Sequence, residues 1–355
     1  MSANGRLFRS ASIARPEGAA PLSSARSYTL ALAPQLIHAR SALLSRLVSS
    51  RAYRQVEFLA VGSFYIFKPS SGPSQQPTLA RIPSTREEVF STTAVTAKAK
   101  RLLMKFLKFV LDYENSPQLE TWEPHADAPL TDLLQQAFKM DPELQTYIIT
   151  LTLSLDGKIS TKDGLAVIRR HLSSMSVYGP GFAALYPKWG GLSEVAQVSC
   201  RAGAVGGAVY MLGNGIKERE TVDGEVKLEL TSGDTVRTRM LVRANESPSG
   251  QSGVSRLVAV IGAPLRPLFE ALVEGAPRPA VAVIAFPTGS LSTTDGKASE
   301  SPVYLAAHSS DTGECPVGQS KFTFSCASPS SSTMMNHTSN TYLHCLSFGT
   351  DAKHF

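Results

Sequence analysis

LYPKWGGLSEVAQVSCRAGAVGGAVYML, residues 185–212, holds the deciding pattern of this 355-residue chain. Residues 193–204 have the composition and spacing of a helix that ends at Gly206-Gly207, and residues 209–212 then read as a strand. The glycines at 203, 206 and 207 invite comparison with a dinucleotide-binding loop, which requires a strand before it and a helix after it. Here the order is reversed. The small residues are therefore assigned to tight packing and a left-handed exit from the helix. Glu194 and Arg201, about two helical turns apart, share one helical face, which on pattern alone a solvated surface also explains.

Toward the N-terminus, apolar residues over 28–48 recur at helical spacing, so an amphipathic helix is expected with Pro34 in its first turn. Two β-rich runs follow at 56–61 and 63–67, joined at Gly62, and a Ser-Thr-Arg-Glu capping box lies at 84–87. Residues 97–113 place apolar side chains on one broad face and five basic residues on the other. Helices are also expected at 130–138, 142–155 and 161–176, which makes 96–178 a helical domain set into a mixed one. Toward the C-terminus the period shortens. A hairpin is expected within 224–242, and strands at 254–261, 280–286 and 302–308. From residue 319 onward the periodicity disappears and little fixed structure is expected.

The chain divides on this reading into a disordered or truncated start (1–25), a first part of the mixed α/β domain (26–95), the helical domain (96–178), a second part of the mixed domain (179–318) and a tail (319–355). Composition, 43% hydrophobic and 18% charged, is that of a globular protein with a sizeable core. The formal charge of +6 is scattered rather than gathered into the patch that phosphate contacts need, so no nucleic-acid partner is expected. Four cysteines without CxxC spacing read as reduced thiols in a cytosolic protein. The seven histidines lack HxH or HxxxH spacing, so neither a metal site nor a catalytic set is expected.

Three ordered blocks, RSYTLALAPQLIHARSALLSRLVSSRAYRQVEFLAVGSFYIF (26–67), RLLMKFLKFVLDYE (101–114) and HLSSMSVYGPGFAALYPKWGGLSEVAQVSCRAGAVGGAVYMLGNGI (171–216), resemble the family of Rab escort proteins and Rab GDP dissociation inhibitors. The resemblance implies an α/β, flavoprotein-like FAD/NAD(P)-binding-type domain carrying a small helical domain, with no enzymatic activity of its own and no cofactor. It places Glu194, Gln197, Arg201, Val209, Tyr210 and Met211 on the platform that receives the GTPase. The implied partners are GDP-bound Rab GTPases, Rab geranylgeranyltransferase and the geranylgeranyl lipid of the cargo, with residues 142–176 in the region that meets the transferase and shelters the lipid. A cytoplasmic location with transient membrane contact follows. The family's first strand and GxGxxG loop fall upstream of residue 26, so the chain is read as incomplete there. An escort protein is the first expectation, an inhibitor that extracts prenylated Rab the second, and a flavin-dependent oxidoreductase the remote third.

Overall fold

The run Pro279–Phe286, PAVAVIAF, is buried at every position, so both of its faces must be covered. In the computed structural model it is β9, a central strand of a mixed sheet. The structure describes residues 12–15, 18, 21–70, 76–83, 96–243, 253–272, 274–292 and 296–327. The capping box at 84–87, most of the expected start and everything beyond 327 lie outside them. By contacts the chain forms two compact units, residues 20–198 with 252–355, and residues 1–19 with 199–251.

In the larger unit, eight strands form one sheet among the described residues, in the order β1-β4-β2-β9-β10-β11-β8 with β3 paired to β2. They are β1 (Ile37–His38), β2 (Phe58–Lys68), β3 (Thr78–Arg81), β4 (Ala184–Pro187), β8 (Val254–Ile261), β9, β10 (Val303–Ser309) and β11 (Ser320–Ala327). Only β2 and β9 pair in parallel; the other ladders of this sheet are antiparallel. The smaller unit holds an antiparallel sheet of β5 (Ile216–Val222), β6 (Glu225–Leu230) and β7 (Thr235–Thr238).

Helix α1 (Ala42–Ser49) is capped by the Ser41 side chain, which accepts from the Leu44 N–H. Helices α2 (Ala97–Leu111), α3 (Gln118–Trp122), α4 (Leu130–Gln136), α5 (Pro142–Thr152) and α6 (Thr161–Ser174) close around Phe106, Val110, Leu130, Leu134, Leu165 and Ile168, none of which reaches solvent. Tyr147 of α5 leaves that cluster and packs with Val61, Phe64 and Ile66 of β2, joining the helices to the sheet.

Four expectations need correction. Residues 28–48 are not one helix. The N–H groups of Thr29 and Ala31 are bound by the Glu314 carbonyl and carboxylate, which holds this segment extended, and Pro34 disfavours helical geometry just before it. The two runs at 56–67 are one strand, bent by a register shift beside Gly62, whose missing Cβ lets the Pro279 ring lie against the backbone. Residues 209–212 pair with nothing and are not a strand; the first strand after the helix is β5. Residues 320–327, expected to lack structure, form β11, with Phe322, Phe324 and Cys326 in the core.

Candidate functional site

The chain leaves β4 through Trp189-Gly190-Gly191, three successive residues in the left-handed region, with φ of 69°, 120° and 68°. Glycine is required at 191, where a Cβ would stand 2.7 Å from the Tyr186 hydroxyl. Trp189 takes the same kind of conformation with a large side chain. Its N–H donates to the Thr312 carbonyl at 2.8 Å, and its ring lies against the Cα of Gly313, where any side chain would collide with it. The turn opens helix α7 (Leu192–Val205), with the Glu194 N–H donating to the Gly191 carbonyl at 3.1 Å. Gln197 donates to the Glu194 carboxylate at 3.0 Å, so two of the expected platform residues are joined.

Beneath this turn lies a buried ionic cluster. Glu314 accepts from Lys321 Nζ at 2.6 Å, from His308 Nδ1 at 2.5 Å, from the Ala31 N–H at 2.8 Å and from the Tyr186 hydroxyl at 3.4 Å. Burial alone would raise the Glu314 carboxyl, but the bonds from His308 and Lys321 outweigh it and hold the group at about 2. Burial lowers His308, so its ring is neutral, with Nδ1–H as donor; Nε2, which has no partner, is then a bare lone pair. Burial and the Glu314 charge both raise the Tyr186 phenol, which stays protonated. The cluster is a matched pair, Glu314 with Lys321, in which the carboxylate also accepts from His308, Ala31 and Tyr186.

A cleft of about 380 Å³ opens above it. One wall is Leu30, Leu32 and Ala33 of the extended segment, and the other is Trp189, Leu192 and Ser193.

In the smaller unit, the end of α7 is closed as the glycine pattern implied. The Ala208 N–H donates to the Gly203 carbonyl at 2.8 Å and the Gly207 N–H to that of Ala204 at 3.1 Å, with Gly207 left-handed at φ 91°. Arg201 is exposed on this part of the helix. Beyond it Val209 (84% exposed), Tyr210, Met211 (47%) and Leu212 present apolar surface to solvent. Tyr210 is folded back: its hydroxyl stands where Gly203 would carry a Cβ and bonds to the Cys200 sulfur. The expected platform residues thus lie on α7 and the segment after it. Sequence reasoning missed Trp189 and the Glu314 cluster, because pairing between Glu314 and Lys321 depends on a tertiary turn that no spacing rule marks.

No group of three metal-binding side chains occurs among the described residues. No helix among them is long and apolar enough to cross a membrane.

The family model for GDP dissociation inhibitors matches residues 6–266, and the chain belongs to that family. It is 31% identical over 276 residues to Rab proteins geranylgeranyltransferase component A of Saccharomyces cerevisiae, covering 76% of this chain and 43% of that protein. The protein of the same name in Candida albicans is 29% identical over 313 residues, covering 83% of this chain and 46% of that one. The chain therefore spans about half the length of these relatives. The crystal structure of a Rab GDI from Plasmodium falciparum superposes with a TM-score of 0.61 at 15% identity, over 87% of this chain and 70% of that one. The mixed α/β fold read from the sequence is thus the fold of a Rab GDI.

Proposed function

We propose that this chain is a Rab escort protein, a non-catalytic accessory component that holds a GDP-bound Rab GTPase and presents it to Rab geranylgeranyltransferase. The observation that carries the reading is the exposed run Val209, Tyr210 and Met211, set by a glycine-closed helix end in a chain whose relatives are named component A of that transferase. Exposed apolar side chains with a charged residue nearby are the elements of a protein-binding patch. Glu194, Gln197, Arg201, Val209, Tyr210 and Met211 are assigned to it. Residues 96–178 act as a helical domain, in which the helices from 142 to 176 meet the transferase and shelter the geranylgeranyl chain. The protein works in the cytoplasm with transient membrane contact, delivering the lipidated product.

The test is a prenylation assay with purified transferase and a GDP-loaded Rab. Addition of the chain is expected to stimulate lipid transfer, and Arg201→Ala or Met211→Ala to reduce it. Absence of stimulation, together with extraction of prenylated Rab from membranes, would replace the escort role with that of a dissociation inhibitor.

A further inference from the structure

We infer that Trp189 is an additional anchor of the GTPase-binding surface, inserting its edge against an apolar side chain of the partner at the mouth of the cleft it shares with Leu30 and Leu32. This rests on the reading above of α7 as a GTPase-binding helix. The turn from β4 to α7 needs left-handed backbone at three positions, and glycine supplies it at two. A bulky residue in that conformation is an outlier, of the kind that persists where surrounding structure forces it and a site uses it.

The side chain is also placed unusually. Trp122 is 7% exposed inside the helical cluster, whereas Trp189 is 50% exposed. Its indole is nonetheless fixed. The backbone is held by Thr312, the ring lies on Gly313, and the Lys188 ammonium sits 4.9 Å from the ring centre while paired to Glu57 at 3.0 Å. Below, Glu314 fixes the opposite cleft wall through the Thr29 and Ala31 N–H groups. A rigid, half-exposed aromatic beside a preformed apolar cleft has the properties of an interface hot spot, because little side-chain freedom is lost on binding. The same cleft is lined by Leu192 and Ser193, immediately before Glu194, so within the larger unit the anchor is continuous with the Glu194 and Gln197 part of the proposed platform.

Trp189→Ala is expected to weaken binding of a GDP-loaded Rab about tenfold or more, and Trp189→Phe less. Gly313→Ala, which displaces the ring without altering the chemistry of the surface, is expected to weaken it comparably. Equal binding by wild type and Trp189→Ala would overturn the anchor and leave the function standing; no binding by wild type overturns both. A measurement on the unsubstituted chain covers the case in which the variants do not fold. The chain has two tryptophans, so 5-fluorotryptophan labelling yields two fluorine resonances, assigned with Trp122→Phe. On addition of the GDP-loaded Rab the Trp189 resonance should move and that of Trp122 stay. A stationary Trp189 resonance in a formed complex would overturn the inference.

Discussion

Lys321 and Glu314 meet at 2.6 Å with neither side chain reaching solvent. Removing one partner strands a buried charge, which typically costs about 3–5 kcal/mol, whereas removing both removes the charges together and leaves only the neutral donors of Ala31, Tyr186 and His308 without their acceptor. Lys321→Met and Glu314→Leu should each destabilise strongly in urea unfolding, and the double variant by clearly less than their sum. Additive losses would show that the two groups do not act as a pair.

His171 is 8% exposed, packed between His38 and Phe64 with ring centres 5.6 Å and 5.2 Å away, and its Nδ1 has no partner. Burial, reinforced by His38, lowers it from 6.5 to about 3. The folded state thus holds it neutral while the unfolded chain takes up a proton near 6.5. Its contribution is present above that pH and is lost as pH falls from 6.5 toward 3, reaching about 2 kcal/mol at pH 5. Denaturant midpoints at pH 7 and 5 should differ, and His171→Phe should shrink the difference by that amount; an unchanged difference would assign the pH dependence to other groups.

At the register shift in β2, a Cβ on Gly62 would stand 2.5 Å from Pro279 Cβ. Gly62→Ala should lower stability by about 1–3 kcal/mol through overpacking, read as a fall in Tm. Pro279→Gly in the same chain, which removes that Cβ, should restore part of it. A double variant no more stable than Gly62→Ala would place the strain elsewhere.

Gly203→Ala tests the folded-back Tyr210 separately from stability. The new methyl displaces the tyrosine hydroxyl, while alanine favours the helix by about 1 kcal/mol over glycine. Thermal melting should change little and calorimetric affinity for a GDP-loaded Rab should fall about tenfold. Unchanged affinity would remove Tyr210 from the binding surface.

Elements whose residues obey a local rule were legible. β9 could be read from an unbroken apolar run, α2 from its two-faced pattern, and the exit of α7 from Gly206-Gly207. Those set by distant partners were not. Residues 28–33 have helical spacing but are held extended by Glu314, which lies nearly three hundred residues away. β11 reads as polar because Lys321 and Thr323 alternate with its phenylalanines, and only the pairing of Lys321 with Glu314 makes that alternation buriable. At the proposed binding surface, Glu194, Arg201 and Met211 follow from a family resemblance, whereas Trp189 is visible only in its backbone angle and exposure.

The parallel pairing of β2 with β9 joins Ala60 to Pro279, a separation of 219 residues. On a ribosome adding roughly 5–20 residues per second, β2 emerges some ten to forty seconds before its neighbour exists. During that interval the edge of β2 that β9 will pair stays open, and Phe67 awaits the Phe286 ring it packs against. Synthesis of this protein should therefore lean on cellular chaperones that shield nascent chains, even though its own proposed work is to chaperone another.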